Sequence, residues 1–429
     1  MLIVRRMTLL CFCFLIVLSV GLSAQELESR TSLTSVNKLI KWLETNRDEE
    51  TGLPYSHVGD ERFGQWSFTY DSAVVALAYM AVGNIDDARK IINFYMKTPG
   101  VMRLNSFIEA FTPSSPIKGQ DYSVRTGANV WMGIAGLNLY KKTKELKYFR
   151  FAKKIAGFAI ALQDKDSSSK NFGGIALGPV GDSAYKGDQH IAYDPKLPAF
   201  SDIYSTEINI DAYSLFNQLY KERKGQRYGD ARDAVLRWLK KNAYNPVDHR
   251  FNRGYDDPSV ATDVQSWSIS ALGVGVLNTF EKSAAEKIIA FVEDHCIASD
   301  VFRKPDGTVV TIKGVDFVDS RRAKSLNRKP LVSPEWTFQL INAYSRLSKH
   351  YSVKGNRSKS VEYKNKREKM IKEMLKLAIN VDGTLAYPYA TQAEAELGHE
   401  NTTPKKGNLS VVGVAYGILA LKDFDPLAQ

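Results

Sequence analysis

Apolar and polar positions along the chain recur with the period of a helix from one end to the other. The spacing predicts helices over 35–45, 69–82, 86–97, 127–142, 146–162, 206–222, 228–241, 262–277, 283–295, 334–350, 361–379 and 409–421. No stretch alternates convincingly with the period of a strand. The helices are of two kinds. One is crowded with small residues, such as Ala73, Ala76, Ala78 and Ala81, or Ser268, Ser270, Ala271, Gly273 and Gly275. Apolar or small on nearly every side, such helices are buried all round. The other kind, including 86–97, 228–241 and 361–379, carries one apolar stripe and a charged back. Their alternation describes an inner ring of helices wrapped by an outer ring.

Loop lengths point the same way. Connections from a small-residue helix to the next charged one are mostly short, the stretch after His350 excepted. The return connections, 46–68, 98–126, 163–205, 242–261, 296–333 and 380–408, are all long. In an up-and-down ring the long loops emerge at one end, where the inner helices begin, and long loops in a compact domain tend to be functional. The expected fold is all-α, an (α/α)6 toroid of inner and outer helices. Its working face lies at the inner-helix N-termini. An open solenoid is the alternative, but no fixed repeat length supports it.

Four inner-helix openings carry a carboxylate. Thr69, Thr206, Thr262 and Ser333 read as N-caps and Pro334 as a first helical residue. Asp71, Glu207, Asp263 and Glu335 then fall in the first turn, where the helix dipole favours negative charge by about 0.3–1 kcal/mol each. That suffices to explain any one of them. Four acids converging on one mouth repel each other, which points to chemistry. Trp66, Tyr70, Trp131, Tyr204, Trp267 and Trp336 lie at or beside these openings and offer faces for sugar rings.

Glycoside hydrolysis needs one protonated and one ionised carboxyl beside the scissile bond. Glu207 and Asp211, four residues apart on one helix face, should raise each other's proton affinity. On that ground Glu207 is the expected acid, with Asp263 or Asp71 as base and Asp211 and Glu335 binding substrate. The loops add Asp60, Arg62, Asp121, Tyr122, Arg125, the glycine turn at 171–175, Arg250, Asn252, Arg253, Asp256 and Asp257.

At the N-terminus, Arg5 and Arg6 precede an apolar run from Met7 to Leu22, then Ser23 and Ala24. This is the pattern of a secretory signal peptide ending near Ala24, leaving 25–429 as a single domain. Membrane association is expected only if that segment is retained. Cys11 and Cys13 lie in the leader, so Cys296 alone remains, and neither a disulfide nor a cysteine zinc site is expected. Net charge is +11, or +9 without Arg5 and Arg6, with much of the excess between Lys349 and Lys376. A solvated outer helix explains that stretch; attraction to acidic glycans is the sharper reading. No nucleic-acid motif is present.

The segments Ser67-Phe68-Thr69-Tyr70-Asp71-Ser72-Ala73, Tyr204-Ser205-Thr206-Glu207-Ile208-Asn209-Ile210-Asp211-Ala212-Tyr213, Ala261-Thr262-Asp263-Val264-Gln265-Ser266-Trp267 and Ser333-Pro334-Glu335-Trp336-Thr337 resemble the six-hairpin glycosidase-like superfamily. They are similar to exported bacterial toroid proteins labelled glycosyl hydrolases. The resemblance spans nearly all of 25–429 and implies a carbohydrate-active protein without cofactor or metal, acting on a poly- or oligosaccharide. It departs at Ile208, where histidine is common, which removes one acid–base group. The superfamily includes hydrolases, phosphorylases, lyases and epimerases. A glycoside hydrolase is the leading expectation. A uronate lyase using Tyr204, His190, Asn129 and Arg125 is the second, and a non-catalytic glycan-binding or envelope protein the third.

Overall fold

The structure, a computed structural model, describes residues 24–103, 105–114, 117–180, 182–186, 189–194, 200–399 and 401–428. The expected leader, apart from its last residue, lies outside them. In chain order the long helices are α1 (Ala24–Thr45), α2 (Thr69–Val82), α3 (Ile85–Lys97), α4 (Thr126–Thr143), α5 (Leu146–Ala161) and α6 (Thr206–Arg223). There follow α7 (Gln226–Trp238), α8 (Thr262–Leu277), α9 (Ala284–His295), α10 (Pro334–Val353), α11 (Arg357–Leu377) and α12 (Val411–Leu421).

The even-numbered helices form the inner ring. Each packs on the next, and α12 packs back on α2. Each of α2, α4, α6, α8 and α10 is backed by the odd-numbered helix that follows it, whereas α12 is backed by α1. The first helix thus covers the last and closes the ring, giving the expected toroid. Burial separates the two sets as the small-residue pattern implies. In α4 every residue from Thr126 to Tyr140 is buried, whereas α3 buries only Ala88, Ile91, Ile92 and Tyr95. The basic stretch is the solvated back of α11, with Lys366 paired to Glu293 and Glu362 and Lys359 to Glu286. Among the described residues no helix is long and apolar enough to cross a membrane.

Strands are present where none was expected. The loop after α9 folds into a hairpin, Ile297–Arg303 against Val309–Val315. Only its core-side residues, Ala298, Ile312, Gly314 and Val315, are buried, so the alternation along it is too faint to stand out from a polar loop.

The threonines at the helix openings also do something other than cap. The caps of α2, α6 and α8 are Phe68, Ser205 and Ala261, none with a side-chain cap bond, while Ser333 does cap α10. Thr69, Thr126 and Thr206 are the first helical residues. Their hydroxyls donate to Ile108 O, Ala176 O and Asn252 O at 2.7–2.8 Å. At the fourth helical position of α4, α6 and α8, the Asn129, Asn209 and Gln265 amides bond both the N–H and the C=O of Phe107, Ile175 and Phe251. Each of these loops is therefore stapled to two neighbouring inner helices, by a threonine from one and an amide from the next. The staple sets the register of the loop over the mouth. Asn209→Ala leaves the buried Ile175 N–H and C=O unpaired and is expected to cost about 2–4 kcal/mol, read as a lower urea midpoint. An unchanged midpoint would mean water already serves that loop.

Candidate active site

A cavity of about 810 Å³ opens where the inner helices begin. The second residue of five inner helices defines its level: Tyr70, Gly127, Glu207, Asp263 and Glu335. Four of these line it, and Glu335 stands immediately behind Tyr70, whose Oη is 3.0 Å from Glu335 Oε1 and 3.1 Å from Tyr416 Oη. Gly127 lets the α6 wall approach α4 closely. A Cβ there would meet Ile208 Cγ1 at 3.1 Å. The loop staples supply the upper wall. Glu109 and Arg253 directly follow the stapled residues Ile108 and Asn252, and both line the cavity.

Of the residues expected from sequence, Glu207, Asp263, Tyr70, Asp121, Arg125, Tyr204, Arg253, Asp257 and Trp336 line the cavity. Others lie elsewhere. Trp131, Asp211 and Trp267 sit at the sixth helical position, one turn below Gly127, Glu207 and Asp263, and are buried. Trp131 packs against Trp267 at 5.4 Å between centroids and takes the edge of Tyr70 at 5.5 Å. The two indoles are a floor beneath the cavity, with no face free for sugar. Trp66 packs on Phe63 and on the cavity residue Phe68 and is not itself in the lining. Asp71 is buried outside the lining, and Asn129 is committed to its loop staple. The His190 side chain lies outside the described residues.

Sequence reasoning missed Glu109, Phe200, Tyr255, His399 and Asn401, all on loops lining the cavity. Glu109 becomes legible only once Asn129 is seen to hold Phe107, two residues before it. His399 stacks on Trp336 at 6.1 Å, and its Nε2 lies 3.1 Å from Val260 O, which places the proton on that nitrogen. Burial, then the charge of Arg253, pushes its pKa down to about 4, so the ring is neutral.

The carboxyls are all pushed upward, for separable reasons. Glu207 is raised by burial, against which the positive charges of Arg253 and Arg125 act. Asp263 is raised well above the ordinary range by burial and then by the Glu207 charge, although Val264 N–H donates to its Oδ1 at 2.8 Å. Asp211 is raised likewise, by burial and then Glu207, and neither of its oxygens has a well-formed hydrogen bond among the described residues. Burial also lifts Asp71 and Glu109 to about 7 and Glu335 to about 8. Only Glu207 has two arginines as its leading opposing influences. Within the Glu207–Asp211–Asp263 cluster the negative charge therefore settles on Glu207, and protons on Asp211 and Asp263. This order is the reverse of the one the helix spacing suggested. Among the described residues no group of three or more His, Cys, Asp or Glu side chains is placed to hold a metal.

No family model and no curated protein sequence matches the chain. Solved structures do. A sugar epimerase from a ruminal bacterium superposes with a TM-score of 0.61 at 11% identity, covering 92% of this chain and 97% of the other. Cellobiose 2-epimerase from Bacillus thermoamylovorans gives 0.59 at 10% identity, with 92% and 98% covered. An inactive aspartate variant of a family 76 α-1,6-mannanase from Salegentibacter, in complex with α-1,6-mannotetrose, gives 0.56 at 11% identity, with 93% and 99% covered. In fold, this chain is an (α/α)6 toroid like these epimerases and mannanases.

Proposed function

We propose that the protein is an exported glycoside hydrolase. The observation that carries this reading is the pair of carboxyls Glu207 and Asp263 on adjacent inner helices, Glu207 facing the charges of Arg253 and Arg125 and Asp263 the charge of Glu207, in a cavity walled by Tyr70, Tyr204, Tyr255 and Trp336. Asp263 delivers its proton to the glycosidic oxygen as the bond to the anomeric carbon breaks. Glu207, opposite it, stabilises the developing positive charge and directs water to that carbon, as nucleophile or as base. Arg125 and Arg253 hold Glu207 ionised, and Arg125 is itself held over the Phe200 ring at 3.9 Å. Mannotetrose bound by a mannanase of the same fold and sugars as the epimerases' substrates support the substrate class. Export rests on the leader. A mature form beginning near Gln25, read by mass spectrometry, would bear it out, and a retained N-terminus would reject it.

The test is a panel of neutral and uronic polysaccharides, followed for new reducing ends and for absorbance of unsaturated products. Hydrolysis gives the first without the second. Both together would replace the reading by a lyase, for which Tyr204 and Arg125 remain in the cavity while Asn129 does not. Binding without either signal would favour the non-catalytic reading.

A further inference from the structure

Behind the aromatic wall of the cavity runs a second recess, a groove of about 790 Å³. Its sides are the end of the hairpin at Phe302, Arg303 and Lys304, the turn at Asp382, and the loop segments 388–393 and 403–409. Two ring-to-ring paths join the recesses. Tyr389, on the groove, lies 5.9 Å from His57, which lies 5.7 Å from the cavity residue Phe68. Tyr389 also stacks on Phe317 at 5.8 Å, and Phe317 meets the cavity residue Trp336 at 4.6 Å. The layer between the recesses is thus one packed aromatic ridge, in which Phe317 is buried and His57 and Tyr389 are partly exposed.

The groove is cationic. Arg303, Lys304, Lys405 and Lys406 line it, against Asp382 alone. Among the described residues only Lys405 of the four has an ion pair, with the exposed Glu61 at 3.0 Å. Lys304 Nζ donates to Ala378 O at 2.7 Å, and partial burial of this ammonium lowers its proton affinity against the opposing charge of Asp306. The exposed Arg303 and Lys406 and the partly buried Lys304 together present more positive charge to the groove than Asp382 offsets, which an anionic, oxygen-rich ligand would match.

We propose that this groove binds an anionic segment of the glycan, sugars bearing carboxylate or sulfate groups, continuous with the stretch held in the cavity. It rests on the reading that the cavity takes a glycan, though not on what is done to it there. The apolar floor at Phe302, Pro388 and Tyr389 accepts sugar faces while Arg303, Lys304 and Lys406 meet the acid groups.

The test measures binding by calorimetry, on Glu207→Gln protein so that turnover does not intervene. The probes are an oligogalacturonate, a sulfated heparin-derived oligosaccharide and a neutral mannan oligosaccharide of matched length. At an ionic strength of about 0.01 M at least one acidic ligand should bind about tenfold more tightly than the neutral one, and the advantage should vanish near 1 M, where screening acts within about 3 Å. The acidic probe that wins identifies the anion. Lys304→Gln with Lys406→Gln, checked for an unchanged melting temperature, should remove about tenfold of affinity for that ligand only. Equal binding of all three probes would overturn the proposal. So would a preference that survives the double variant, which would assign it to Arg125 and Arg253 in the cavity. A groove preference with no bond cleavage by wild-type protein would leave this inference standing and remove the hydrolase reading.

Discussion

Asp263→Asn and Glu207→Gln are each expected to lower turnover by about 10²–10⁴-fold, yet to differ in how the loss depends on the leaving group. A substrate with an acidic phenol as leaving group departs without protonation. Asp263→Asn should therefore lose much less on an aryl glycoside than on a natural glycan, while Glu207→Gln loses heavily on both. The contrast follows from the electrostatic order in the cavity, because Arg253 and Arg125 face Glu207 whereas the Glu207 charge itself helps keep the proton on Asp263. Rescue by the good leaving group in Glu207→Gln instead would restore the order suggested by helix spacing. Full activity of Glu207→Gln on a natural glycan would end the paired-carboxylate mechanism. Both substitutions preserve shape, and both remove a carboxyl that burial disfavours, so melting temperatures should hold or rise. A lost activity then reports chemistry rather than folding.

What could be read from the sequence divides by physical scale. The ring was legible because burial on all sides leaves a compositional mark: no outward-facing helix is built like α4, with Ala128, Gly133, Ala135 and Gly136 among buried apolar neighbours. The level of the acids was legible because Glu207, Asp263 and Glu335 follow a recognisable helix start. Depth was not. Helical periodicity assigns Trp131 and Trp267 to the correct helices. It does not say that four residues below the rim, about 6 Å of rise, is already beneath the cavity floor. The threonines misled in a related way, since a hydroxyl at a helix opening is usually a cap, and only the neighbouring loops reveal Thr69 and Thr206 as staples. His399 and Asn401 come from a loop remote in sequence, and no local pattern marks them.

A folded protein that keeps protons on buried carboxyls should lose stability as the pH rises. Asp71 and Glu109 titrate at about 7 and Glu335 at about 8 in the native state, against 3.8 for an ordinary aspartate and 4.5 for glutamate. Unfolding at pH 6.5 therefore releases protons, so raising the pH favours the unfolded chain until the native carboxyls have ionised too. Each pH unit between the native and unfolded values is worth about 1.4 kcal/mol per group. Below pH 6.5 the neutral buried histidines His399 and His57, both pushed down by burial, work in the opposite direction. Above about pH 8 the native Lys141, lowered to about 8 by burial, opposes the trend as well. The unobstructed window is thus pH 6.5 to 8, where the melting temperature should fall steadily in calorimetry at constant ionic strength. Glu335→Gln, which keeps a side chain of the same shape beside Tyr70 and Gln339, should flatten the slope. A flat or rising melting temperature across that window would mean that water reaches these carboxyls and ionises them. Asp263, raised chiefly by the same burial, would then have no means of holding the proton that the proposed hydrolysis requires.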